Sequence, residues 1–359
     1  MKVGIVGLTQ SGKTTLFRAI TQGKAPIDEY GGKSNIGVVA VPDERMDWLV
    51  EKNNPKKVTP ATIEVIDSAA KIGGDQKTKI TADLYRDIQA VDALIHVVRA
   101  FTSPAGEPPT PGKDARDLTE ELILADLQSV ETRLTRIEKS LHGVKQGATT
   151  PQTMERDLLL QIKDTLEAGE FIKSLSLTPD QEKLVKGYDF MSQKPQIIVA
   201  NISEEEIGQP ESEAVKELRA YCEESSIPML VLSAKVEAEI AELPEDEQKE
   251  YLEAMGLEKP ARDRLIAETY RSLGLITFFT AGEPEVRAWS LRVGSPVVDA
   301  AGTIHSDLAR GFIRAEVGHY DDVKSAGGWE EAKRAGVVSL HMKDYIVQDG
   351  DILYIRFKV

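Results

Sequence analysis

The segment Gly7 to Thr14, read as GLTQSGKT, has the residue types and spacing that hold a polyphosphate. Glycines permit backbone angles that other residues resist, so successive N–H groups can turn inward toward phosphate oxygens. The positive end of the helix that follows adds to the attraction. Lys13 would reach the β- and γ-phosphates, which makes it a catalytic as well as a binding candidate. The Thr14 hydroxyl would ligate Mg2+, and Gln10, Ser11, Gly12 and Thr15 complete the cradle. The plain alternative is a glycine-rich turn that matches by chance. Against it stand the apolar run Val3–Val6 before the loop and the helical pattern Leu16–Ile20 after it. Asp67 closes the run IEVID, where an aspartate holds Mg2+ through water; taken alone it would read as a helix cap or turn residue.

Two later loops have the placement of base readers. Asn201 and Glu204 stand in VANISE, and Ser233, Ala234 and Lys235 in LSAK. Guanine-specific sites carry Asn-Lys-x-Asp at the first of these, and the aspartate accepts from guanine N1–H and the 2-amino group. Here the lysine is Ile202 and the aspartate is Glu204, one methylene longer. Adenine has no 2-amino group and its N1 is an acceptor. ATP is therefore expected ahead of GTP, with Mg2+ as the accompanying ion and the Asn201 amide available to the purine edge. His96, inside the run ALIHVVRAF, reads as a hydrogen-bonded buried histidine and receives no role.

These residues need a scaffold. Five apolar runs read as buried parallel strands: Val3–Val6, Ile63–Ile66, Ala93–Val98, Gln196–Ala200 and Met229–Leu232. The last four end in Asp67, Arg99, Asn201 and Ser233, and polar residues just past strand ends are where an open α/β sheet places its ligand. A Pro/Gly-rich linker, Thr102–Asp114, interrupts the alternation. Beyond it Ile123, Leu127, Val130, Leu134, Ile137 and Leu141 repeat at spacings of four and three, a heptad seam. His142–Pro151 reads as a turn, and Leu159, Ile162 and Leu166 continue the spacing on a second helix. The pattern predicts an inserted helical hairpin of coiled-coil type; two ordinary surface helices are the alternative. From about Leu273 short strand-like pieces alternate with glycines, with Gln348–Asp351 as a turn, and suggest a separate β-rich domain.

Composition narrows the class. With 41% hydrophobic and 29% charged residues in 359, the chain has the mix of a soluble globular protein with two or three domains. No stretch approaches the ~18–20 apolar residues of a membrane span. The N-terminal apolar run belongs to the loop motif and is not read as a signal peptide. A single cysteine, Cys222, excludes an internal disulfide and suits a reducing cytoplasm. A formal net charge of -15 argues against indiscriminate nucleic-acid binding.

Long strings in fixed order then point to a family. They are VGLTQSGKTTLF, GVVAVPDERMDWL, VDALIHVVRAF, VANISE and SAKVEAEIAEL, followed by TFFTAGEPEVRAW, AAGTIHSDLARGFIRAEV and KDYIVQDGDILYIRF. The chain resembles the Obg-related ATPases of the YchF family, within the translation-factor GTPases, over nearly its whole length. The resemblance implies an α/β P-loop domain with a parallel sheet, residues 1–101 and 194–272. It also implies an inserted antiparallel coiled-coil hairpin, 102–193, and a C-terminal ubiquitin-like α+β TGS domain, 273–359. It implies ATP binding through Gly7 to Thr15 and Asn201 to Glu204, and a ribosome or RNA partner. Charge supports that partner weakly, because acids outnumber bases in both the hairpin region and the C-terminal region. Protein partners of the hairpin and TGS domain are the alternative.

Three departures stand out. Where the family has Asp-x-Ala-Gly-Leu, this chain has Asp67-Ser68-Ala69-Ala70-Lys71, so Lys71 takes the place of the hydrophobic residue that replaces a catalytic glutamine. The glycine-rich stretch after it is replaced by Asp75–Ile80. Glu29–Ile36 contains no threonine to ligate Mg2+. Lys71 becomes a catalytic candidate, since a lysine there can approach the γ-phosphate. Intrinsic hydrolysis is expected to be very slow. Two readings follow: a slow ATPase acting as a switch in translation or stress response, or a nucleotide-dependent scaffold that hardly hydrolyses.

Overall fold

A computed structural model describes residues 1–27, 34–68, 82–141 and 150–358. The chain divides into two compact units, Met1–Gly37 with Glu64–Ala261, and Val38–Ile63 with Arg262–Val359.

The first unit is built on a six-stranded sheet, five strands of which pair in parallel. Strand β1 (Lys2–Val6) runs into the loop that opens α1 (Lys13–Ile20). Strands β2 (Asn35–Ala40) and β4 (Thr62–Asp67) carry the chain out of this unit and back, with α2 (Arg45–Asn53) and β3 (Val58–Thr59) between them. Then come α3 (Ala82–Gln89), β5 (Ala93–Arg99), the long α4 (Pro111–Ser140), α5 (Pro151–Glu167) and α6 (Pro179–Lys186). Strand β6 (Gln196–Asn201), α7 (Glu213–Glu224), β7 (Met229–Leu232) and α8 (Ala234–Glu242) follow. The sheet order is β2-β4-β1-β5-β6-β7, and β1 pairs in parallel with both β4 and β5. Residues of β5 and β6 are buried nearly throughout, which is why they read as continuous apolar runs. One core cluster packs Val98, Ile198 and Ala200 against Val215 and Leu218 of α7; another joins Val6, Leu94 and Ile88 to Leu118 and Leu122 of α4.

The heptad prediction corresponds to α4 and α5. Ile123, Val130, Leu134 and Ile137 are buried against Leu158, Leu159, Ile162 and Leu166, with Leu127 and Leu141 at the edge of the cluster. Thr150 starts α5 with a capping box, its hydroxyl accepting from the Thr153 backbone. Residues 142–149 of the expected turn lie outside the described residues.

The second unit has a mixed sheet ordered β11-β10-β12-β8-β9-β3, built from β8 (Leu275–Ala281), β9 (Val286–Arg292), β10 (Phe312–His319), β11 (Ser339–His341), β12 (Asp351–Phe357) and β3. Helix Val297–Ile304 buries Val297, Ala300 and Ala301 in its core with Phe278, Phe312 and Leu353. The expected Gln348–Asp351 turn closes with Asp351 N–H donating to the Gln348 carbonyl. This unit is larger than the 273–359 stretch outlined from sequence: Val38–Ile63 joins it, because Val58 and Thr59 pair in parallel with Val286 and Arg287. It also begins earlier, at Arg262.

Candidate functional site

The loop between β1 and α1 is bent by two glycines. Gly7 has φ 149°, and a Cβ there would fall 2.2 Å from the Val97 carbonyl oxygen. Gly12 has φ 97° in the left-handed region, and a Cβ there would fall 2.2 Å from the Asn201 amide nitrogen. Gln10 also takes a positive φ of 62°. The first N–H groups of α1, from Lys13 onward, have no intrahelical acceptors and form the anion-facing end of the helix.

Lys13 lies over this loop. Its Nζ donates to the carbonyls of Gly7 at 2.9 Å and Leu8 at 2.8 Å. An ammonium has three protons, so one remains for a phosphate oxygen. Burial pushes the Lys13 pKa down, and the neighbouring Asp67 charge opposes that shift.

Asp67 is the electrostatic centre of the site. It is 2% exposed. Its Oδ2 accepts from the Thr14 hydroxyl at 2.8 Å and from the Asn35 amide at 3.1 Å. Its Oδ1 is buried without a hydrogen-bond partner. Burial raises the Asp67 pKa against the lowering effects of Thr14, Asn35 and Lys13. A buried carboxylate oxygen left unpartnered beside a threonine hydroxyl fits a hydrated Mg2+.

The predicted base loops meet the phosphate loop through Asn201. Its Oδ1 accepts from the Ala234 N–H at 2.8 Å, and its Nδ2 donates to the Ser11 carbonyl at 2.9 Å. Both ends of the amide are thus committed to the protein, and the side chain is buried. The amide clamps two loops together with one of its two N–H protons and leaves the other for the expected contact with a purine edge. It also explains why residue 12 is glycine. Ser233 is buried at the start of α8, and Glu204 pairs with Lys235 at 3.0 Å.

A cavity of about 920 Å³ opens beside these groups. Gln10, Gly12 and Thr15 line one side, and Asn201, Glu204, Ser233 and Lys235 another. Phe101, and Pro104 and Pro109 of the linker, line it too. Its size suits a nucleotide. Ser11 and Ala234 are buried. Thr14 and Thr15 face a second, smaller hollow of about 320 Å³ that also includes Lys235. Lys71, with Ala69, Ala70 and Asp75–Ile80, lies outside the described residues, as do positions 29–33 of the Glu29–Ile36 stretch.

Sequence reasoning missed Asn35 and Asp87. Asp87 on α3 accepts from the hydroxyls of Ser34 at 2.9 Å and Ser68 at 2.6 Å, which flank Asn35 and Asp67. Neither has a motif signature; the one hint was a polar residue standing directly before the apolar alternation of β2. His96 is buried as expected, but its Nε2 has no hydrogen-bond partner. Burial, and secondarily the Lys13 charge, pushes its pKa down to about 3.

Comparison with known proteins adds the lineage. Residues 2–137 match the family model described as 50S ribosome-binding GTPase, and residues 275–358 match the YchF-GTPase C-terminal model, described as a protein of unknown function. The Ribosome-binding ATPase YchF of Bacillus subtilis is 41% identical, with 100% of each chain covered. The Obg-like ATPase 1 of Caenorhabditis elegans is 31% identical over 99% of this chain and 92% of its own length. The solved Schizosaccharomyces pombe YchF GTPase superposes with a TM-score of 0.87 at 28% identity, covering 99% of this chain and 97% of that one.

Proposed function

This chain belongs to the YchF family, and on that premise we propose that it is an ATP-binding, ribosome-associated switch of the cytoplasm with very slow intrinsic hydrolysis. The observation that carries the proposal is Asp67, buried with one orphaned oxygen between Lys13 and Thr14 at the mouth of the phosphate loop. The triphosphate would lie against Gly7–Thr15, with its base toward the loops after Asn201 and Ser233. Thr14 and Asp67 would hold Mg2+, which when bound neutralises charge on the β- and γ-oxygens. Lys13 supplies one further charge-assisted hydrogen bond to the same oxygens.

The preference for ATP is supported by Glu204. Its carboxylate is engaged by the Lys235 ammonium, and position 202 is a mostly buried isoleucine rather than lysine. A carboxylate at this position that is already paired with an ammonium serves the N1–H and 2-amino donors of guanine less well, and mismatches of this kind discriminate between bases. The ribosome as partner is supported by the names of the relatives. Slow hydrolysis follows from the residues beyond Asp67. Ala70 stands where the family has glycine, and Lys71 cannot accept a proton from water while charged, although it can stabilise developing charge on the γ-phosphate. The same departures favour the second reading, a nucleotide-dependent scaffold with little turnover.

Titration calorimetry tests the binding half. ATP with Mg2+ should bind the wild type at least tenfold more tightly than GTP. Lys13→Ala should weaken ATP by roughly 10- to 100-fold, the worth of a hydrogen bond to a charged group. Equal affinity for GTP, or unchanged ATP binding in Lys13→Ala, would remove the assignment.

A further inference from the structure

A groove of about 750 Å³ runs between α3 and one face of α4, inside the first unit. From α4 it takes Ser129, Arg133 and Arg136, spaced so that their side chains follow one another along the helix. Tyr85 and Arg86 of α3 stand opposite, and Tyr188 lines it as well. Three arginines and no carboxylate line this groove, in a chain whose formal net charge is -15.

The arginines are not equivalent. Arg133 is held in place: its Nε and Nη2 donate to the two oxygens of Glu155 at 2.9 and 3.0 Å, and its Nε also donates to the Tyr188 hydroxyl. Tyr188 in turn donates to Glu155 and stacks on Phe190. Glu155 offsets one charge, but its side chain is only 15% exposed, and Arg133 Nη1 makes no hydrogen bond among the described residues. Arg136, one turn further along, enters no ion pair among the described residues. The result is a row of planar, forked donors with tyrosine rings beside it.

Guanidinium forks match phosphate oxygens, and a row of them along a groove matches a repeated phosphate better than a single ion. Aromatic rings beside such a row offer stacking surfaces for exposed bases. We propose that the α3–α4 groove contacts an RNA phosphodiester backbone; this rests on the ribosome-associated reading and names the surface that would serve it.

The test is pelleting of the full-length protein with purified ribosomes across a salt series, in Mg2+ and a non-hydrolysable ATP analogue. Arg136→Ala should weaken binding about tenfold near 0.1 M salt and lower the slope of log affinity against log salt by about 1, the signature of one lost phosphate contact. Arg136→Lys should keep that slope. Lys183→Ala, on α6 and outside the groove, should leave binding unchanged, and ATP affinity by calorimetry should be the same in all variants. Wild-type affinity and slope in Arg136→Ala would overturn the groove while leaving ribosome association intact. Weaker binding with an unaltered slope would mean a protein contact, which also overturns it. A wild type that fails to pellet would remove the ribosome reading and the groove together.

Discussion

His96 shows what one buried side chain does to the pH response of this fold. It pairs with Val6 across the centre of the sheet and is 1% exposed. Its folded pKa, near 3, lies below the ordinary value of 6.5. A depressed value means that its contribution to stability is complete above about pH 6.5 and is lost as pH falls through the window toward 3. In that window unfolding takes up a proton, at a cost to the fold of up to ~1.4 kcal/mol per pH unit. Urea unfolding at about pH 7.5 and about pH 5.5 should therefore show a larger acid loss in the wild type than in His96→Leu, by roughly 1 kcal/mol; equal losses would refute the assignment. At this scale the sequence announced Gly7, Lys13, Thr14 and Asp67, because a phosphate loop is local and its residues are adjacent in the chain. It did not announce that Asn201 would spend both ends of its amide on Ser11 and Ala234. Nor did it reveal that Asn35 would join Thr14 on Asp67. Those choices depend on partners 32 and more residues away.

The element that connects the site to the hairpin is α3. Through Asp87 it holds Ser34 and Ser68. At its other end the Lys194 ammonium donates to the carbonyls of Gln89 at 2.7 Å and Val91 at 2.5 Å. Three residues before Lys194, the turn Met191–Gln193 presents the N–H groups of Met191 and Ser192 to Asp126 of α4, at 3.0 and 2.7 Å. A physical path therefore runs from Ser34 and Ser68, beside Asn35 and Asp67, to the base of the coiled coil. Asp126 is fully buried, so Asp126→Ala would orphan two backbone donors. The expected loss is ~1–3 kcal/mol for each, read by urea unfolding. Asp126→Asn, which keeps one acceptor, should lose less; a neutral Asp126→Ala would show that the path carries no load. Heptad spacing made α4 and α5 legible, since side-chain periodicity is a local property. The assignment of Val38–Ile63 to the second sheet was not legible, because two-residue β3 chooses its partner through backbone pairing with β9.

At the scale of the whole molecule, the acidic net charge disfavours nonspecific contact with RNA, so any ribosome association has to be earned by local surfaces such as the α3–α4 groove. The family resemblance was legible over nearly the entire chain, while the chemistry of turnover was not, because the chain departs from the family at Ala70 and Lys71 beside an intact loop. The central claim is a switch that binds ATP and hydrolyses it slowly. It is tested most directly by single-turnover release of phosphate from γ-labelled ATP in Mg2+, comparing wild type with Lys13→Ala. The account predicts slow, first-order release from the wild type that disappears in the variant; release indistinguishable between the two would contradict it.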